Sequence, residues 1–206
     1  MAQQGGSETK AGYRLSFSTG GLFVAASVEL AGMYQRLEDW EAVKKAAAEE
    51  GLTQFSASSS ITRTVRELAT RLAALNDDER DLLLRSGHTE RSALLWLALC
   101  RTYPLIREFA VEVVSDRLTN FRTQLGLEHF DAFIASKSQW NSAIADLSDS
   151  TLKKLRQNLF RYMREAGIIL EDGTIVPYLV PAAVRSLIEK RDPSELAFYP
   201  GARGAV

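Results

Sequence analysis

Cysteine and histidine are nearly absent from this 206-residue chain, which holds one of the first and two of the second. A single cysteine excludes an internal disulfide and a multi-cysteine metal site. Cys100 lies in the apolar stretch LLWLALC, where a buried, inert thiol is expected rather than a nucleophile. His88 and His129 show no i,i+4 partner of the kind a zinc-binding helix needs. No G-x-S-x-G elbow occurs, and no Lys-Ser/Thr follows Gly20-Gly21, so neither an α/β-hydrolase nucleophile nor a phosphate loop is indicated. Asp77, Asp78, Glu79 and Asp81 cluster without the alternation and glycine of a calcium loop, and they read as a solvated helix start. The longest apolar run, Ala93 to Cys100, falls far short of the ~20 residues that span a bilayer. Met1 to Gly12 is polar and has no secretory pattern. These absences lead us to expect no enzyme activity, no cofactor, no metal and no membrane partner, in a soluble cytoplasmic protein.

Charge of one sign is also lacking. There are 25 basic and 26 acidic residues, for a net charge of −1. Such a balance excludes a uniformly basic protein that coats nucleic acid, so any contact with DNA must use a local patch.

One stretch supplies such a patch. Between Ser150 and Arg164 there are five basic residues and no acidic one. Ser148 or Ser150 can cap a helix there, Asp149 suits its positive pole, and Gly167 suits its C-terminal stop. Leu152, Leu155, Leu159, Met163 and Ala166 form an apolar stripe with Tyr162 at its edge. Ser150, Lys153, Lys154, Gln157, Arg161 and Arg164 fall on the opposite face, with Arg156 and Phe160 on the flank. An Asp172-Gly173 turn between Ile168-Ile169-Leu170 and Ile175-Val176 predicts a hairpin ended by Pro177. Helix followed by hairpin is the order of a winged helix-turn-helix. Its first helix would run from about Lys137 to Asp146, and Leu147-Ser148-Asp149 would be the turn. A basic outer face is also what an ordinary solvated helix presents, so both readings stand at this point.

The remaining pattern is helical. Helices are expected from about Gly21 to Arg36, from Trp40 to Glu50 behind an Asp39 cap, and over ITRTVRELATRLAAL behind Ser58 to Ser60. In the last of these Arg63 and Arg66 lie opposite the apolar stripe, while Glu67 and Arg71 can pair at i,i+4. Further helices are expected from Glu79 to Arg85, after a Thr89 cap, from Pro104, around Leu127 to Ser136, and from Ala182 to Lys190. We divide the chain into a disordered tail (1–12), an N-terminal helical lobe (13–75), central core helices (76–136), a winged-helix-like C-terminal part (137–192) and an irregular tail (193–206).

Four blocks, in order, resemble a known family. They are YRLSFSTGGLFVAASVELAGMYQRLEDWEAV (13–43), SSSITRTVRELATRL (58–72), LALCRTYPLIREFAVEVV (97–114) and LSDSTLKKLRQNLFRYMREAGI (147–168). The chain resembles the BrxA family of bacterial BREX (bacteriophage exclusion) defence systems. The resemblance implies an all-α globular fold similar to the RNA-binding antitermination factor NusB, with binding of double-stranded DNA. It also implies other BREX proteins as partners: a methyltransferase, a phosphatase-like protein, an ATPase and a Lon-like protein. Some descriptions place the family in the inner membrane, which the lack of a spanning segment does not favour. No residue-level site comes with the resemblance. The expected DNA-binding set is therefore Ser150, Lys153, Lys154, Gln157, Arg161 and Arg164, joined by Arg63 and Arg66. An assembly protein that docks other BREX subunits, or an RNA-binding NusB-like factor, are the alternatives.

Overall fold

The computed structural model describes residues 15, 17, 19–53 and 59–202. The expected tail at 1–12 and the cap at Ser58 lie outside them. The described chain is mostly helical, and among its described residues Gln124 bridges to Thr174 and Ile169 to Ile175.

Helices α1 (Val24–Leu37), α2 (Trp40–Glu50) and α3 (Ser59–Leu72) come first, followed by α4 (Asp77–Arg85) and α5 (His88–Thr102). Asp39 caps α2 as expected, accepting from the backbone N–H groups of Glu41 and Ala42. Asn76 and Glu79 form a reciprocal capping box on α4. Helix α5 begins one residue before the expected Thr89 cap, with Gly87 as its N-cap. Every residue of α5 from Ser92 to Cys100 is buried, because its sequence is apolar nearly all round and suits only the middle of a core. Its Trp96 indole donates to the Phe198 carbonyl at 2.9 Å, which satisfies the one polar atom of that large side chain.

Pro104 opens α6 (Pro104–Phe109), where its missing N–H is no loss. The helix runs on through a π-helical stretch, Ala110–Ser115, into α7 (Asp116–Thr119). Next come α8 (Leu127–Ser138), the single turn α9 (Ser142–Ala145), α10 (Asp149–Glu165) and α11 (Ala182–Arg191). The expected helix at 137–146 is not one element: α8 absorbs its start, and only four residues of α9 remain before α10. Asn141 caps that turn, and an extended backbone at this residue separates the two helices.

The expected irregular tail is also corrected over its described part. Pro193–Phe198 is a 3-10 helix, and the run from Glu195 to Tyr199 is buried. Tyr199 donates to the Ala93 carbonyl at 2.9 Å, so this segment closes over α5. A single apolar cluster runs from Phe17 to Ala202.

Two ionic networks lie inside this helical body. Arg101 donates to both Glu79 and Glu195, at 2.6 to 2.9 Å. Glu79, expected to be solvated with its acidic neighbours, is fully buried. Burial of an acidic residue requires a partner charge, and Arg101 together with the α4 cap provides it. The second network involves the candidate site.

Candidate nucleic-acid interface

Helix α10 carries most of the expected site. Ser148, rather than Ser150, is its N-cap, accepting from the Thr151 N–H. The far end closes as a Schellman motif: Gly167 donates to Arg164 O and Ile168 to Met163 O, with Gly167 at φ +75°. Leu155, Leu159, Tyr162, Met163 and Ala166 are buried as the stripe requires, and Leu152 is half-buried. Phe160 is buried too, rather than on a flank.

On the outer face Ser150, Lys153, Lys154, Gln157 and Arg161 are exposed and Arg164 is partly so. The cations differ in what they already hold. Arg161 pairs with Glu165 at 2.7 Å, Arg164 approaches Glu171 at 3.3 Å, and Arg156 pairs with Asp131 of α8. Lys153 and Lys154 have no ion-pair partner among the described residues. Their charge is therefore the least neutralised part of the face.

The inner face of α10 is held by a strap, Phe17 and residues 19–22, that leads into α1. Asn158 donates to Phe17 O at 2.8 Å, Tyr162 donates to Thr19 O, and Glu165 accepts from the Leu22 N–H. Helix α3 grips the same strap from its other side. Glu67 accepts from the Thr19 N–H at 3.0 Å, and Arg71 donates to Thr19 O and Gly21 O. Glu67 and Arg71 pair with each other, and Arg71 also donates to the Tyr162 hydroxyl at 2.9 Å. Burial pushes the Tyr162 phenol above its ordinary range, with the charge of Arg71 acting against that rise. The Arg71 guanidinium is held charged by Tyr162 and Glu67 although burial works against it. What reads in sequence as an i,i+4 surface pair is thus an internal clamp.

Arg63 and Arg66 project outward from α3 and have no ion-pair partner among the described residues. Helices α3 and α10 meet internally through Arg71 and Tyr162. No hydrogen bond or ion pair among the described residues links Arg63 or Arg66 to the α10 cations.

The hairpin is present, and it is fastened to the body. Leu170 N–H donates to Thr174 O and Val176 N–H to Ile168 O. Asp172 accepts from the Thr174 N–H at 2.9 Å, which lowers its pKa. The second arm also pairs with the segment after α7: Ile175 N–H donates to Thr123 O, and Leu125 N–H to Gly173 O. Ile168, Ile169 and Ile175 are buried. The sequence pattern showed the hairpin, but nothing in it marked 123–125 as a third extended segment.

No group of three or more His, Cys, Asp or Glu side chains among the described residues is placed to hold a metal ion. None of their helices is long and apolar enough to cross a membrane.

Comparison with known proteins adds a family. The family profile described as BrxA matches residues 11–192. A protein named "BREX protein BrxA" from Escherichia coli O9:H4 (strain HS) is 28% identical over 118 residues, which is 57% of this chain and 55% of that protein. A second of the same name, from Bacillus cereus (strain H3081.97), is 28% identical over 130 residues, or 62% of this chain and 64% of that protein. The matched part thus spans little more than half the length of these curated relatives. A crystal structure of an uncharacterized protein from Magnetospirillum magneticum superposes with a TM-score of 0.78 at 18% identity, covering 91% of this chain and 97% of the other.

Proposed function

The chain belongs to the BrxA family, and on that premise we propose that it is a non-enzymatic, double-stranded-DNA-binding component of a bacterial BREX anti-phage defence system. The observation that carries this reading is the outer face of α10. Lys153 and Lys154 stand there exposed and without a carboxylate partner among the described residues, beside exposed Ser150 and Gln157. Lysines so placed neutralise phosphates, and short hydroxyl and amide side chains reach base edges. Arg161 and Arg164 take part by exchanging Glu165 and Glu171 for phosphate, and Arg63 and Arg66 add phosphate contacts. In this reading α9, α10 and the hairpin act as a winged helix-turn-helix-like reader within a NusB-like helical fold. Binding is dominated by phosphates, hence weak in sequence preference and steep in salt dependence.

The test is anisotropy of a labelled random duplex titrated with the protein across a salt series, with RNA as competitor. Micromolar or tighter binding that weakens with salt is expected. Absence of binding at low salt, or displacement by RNA at equal affinity, rejects the reading.

A second reading is assembly with other BREX proteins, namely the methyltransferase, the phosphatase-like protein, the ATPase or the Lon-like protein. Trp140 favours it. It is 81% exposed between α8 and α9, and exposed tryptophan is enriched where proteins dock. Co-purification with one of these proteins that is lost on Trp140→Ala supports that role.

A further inference from the structure

The chain closes two helices with the same hydrogen-bond motif and places opposite residue types at its critical position. At the end of α10 the left-handed residue is Gly167, as that backbone favours. At the end of α7, Phe121 N–H donates to Leu118 O and Arg122 N–H to Arg117 O, the same Schellman pattern. The left-handed residue there is Phe121, at φ +58°. Bulky side chains are disfavoured in this conformation. Its ring is also 94% exposed, so burial offsets nothing. Glycine is the residue this backbone favours; Phe23 and Glu38 also take positive φ in this protein, and among the three Phe121 is the bulky one that stands almost fully exposed.

The turn that holds the ring is rigidly braced. Arg117 donates to Gln124 O at 2.8 Å, and the Gln124 amide donates to the Thr174 hydroxyl at 2.9 Å. Thr123 and Leu125 are hydrogen-bonded to the hairpin that follows α10. Phe121 is thus carried on the framework of the proposed reader. Its chain neighbours in the turn are Thr119, Asn120, Arg122, Thr123 and Gln124, none of them apolar, and Arg122 is exposed with no ion-pair partner among the described residues; Leu127 and Leu170 are the half-exposed apolar residues that follow on α8 and the hairpin. One aromatic ring on a turn of amide and hydroxyl side chains, next to a guanidinium with no ion-pair partner among the described residues, matches a side chain that enters a base step while its neighbours meet the backbone.

We propose that Phe121 is a wedge that inserts between stacked bases of DNA, with Arg122 on the adjoining phosphate. This rests on the DNA-binding reading above, and it adds unstacking of the duplex to that reading. The strained backbone serves to aim the ring outward from a fixed turn, so insertion needs little further ordering of the protein.

The test uses the full chain and a duplex carrying 2-aminopurine at several TpA steps, which unstack most easily. Phe121→Gly suits the left-handed backbone, so the variant is expected to fold at least as well as the parent. The wild-type chain should brighten the 2-aminopurine on binding. Phe121→Gly should abolish the brightening and weaken binding about tenfold, in line with the loss of one aromatic–base stack. Wild-type binding without brightening, or a glycine variant that keeps both signal and affinity, overturns the wedge and leaves the DNA-binding reading intact. No duplex binding by the wild-type chain overturns both.

Discussion

Arg71 and Tyr162 lie 91 positions apart in sequence and meet inside the protein, with a guanidinium N–H donating to the phenol oxygen at 2.9 Å. The same guanidinium lies 5.0 Å from the centre of the Tyr162 ring. Through this pair α3 and α10 hold the strap of Phe17 and residues 19–22, and the strap sets where the outer face of α10 points.

That clamp should be energetically decisive. Arg71→Ala leaves the buried Glu67 carboxylate uncompensated, and a loss of about 3–5 kcal/mol is expected in urea denaturation. Tyr162→Phe keeps the ring and removes two hydrogen bonds, the one it donates to Thr19 O and the one it accepts from Arg71, for a smaller loss of about 1–3 kcal/mol. Replacing both charges, as in Glu67→Leu with Arg71→Met, should cost less than Arg71→Ala alone. Equal losses in the double and single variants would argue against an uncompensated charge as the cause.

Reversing the charge of Lys153 and Lys154 tests the DNA face without touching the core. Lys153→Glu with Lys154→Glu should leave the helical circular dichroism and Tm unchanged. Its affinity for duplex DNA should collapse at moderate salt. If each lysine meets one phosphate, the neutral Lys153→Gln, Lys154→Gln variant should flatten the slope of log K against log salt by about 1.8. An unchanged slope places the contacts elsewhere.

Gly173 tests how the hairpin is fastened. It has φ +84°, and a Cβ there would come within 2.6 Å of the Leu125 carbonyl oxygen. Gly173→Ala should therefore destabilise the chain by about 2 kcal/mol, which lowers Tm by roughly 4–8 °C in a chain of this size. A Tm within a degree of the parent would mean that the hairpin separates from 123–125 without consequence.

Tyr178 supplies a pH signature. Burial, with the nearby charge of Glu90, pushes its phenol up to about 12 from an ordinary value of 10. The unfolded chain then releases this proton at lower pH than the folded one. Stability should fall as pH rises through 10 and stop falling, for this group, above about 12. Absorbance titration of the phenolate and denaturant melts at each pH give the two readouts. Tyr178→Phe should remove its share of the alkaline loss.

Much of the helical layout was legible because its signals are local. The Asp39 cap, the all-apolar middle of α5, Pro104 at a helix start and Gly167 at a helix end each act within a turn or two of chain. The exposed face of α10 followed from periodicity alone, since its cations cannot share the side that Leu155 and Leu159 bury. Two helices were expected where α8 and α9 lie, but the second was drawn too long and begun too early, because a short capped turn and a longer helix leave nearly the same local pattern.

By itself, then, the sequence determined which segments coil, which face of each is apolar, and where cations gather, because side-chain spacing and capping chemistry act over a few residues. Only the tertiary structure decided what those cations meet. Among the described residues packing brings Lys153 and Lys154 no carboxylate, while Arg156 is brought to Asp131 and Arg71 is sealed between Glu67 and Tyr162. The structure also decided that Phe121 stands outside the core, on a turn braced by a hairpin about fifty positions later in the chain. Coulomb and desolvation energies depend on distances between groups remote in sequence, and those distances exist only once the helices have packed.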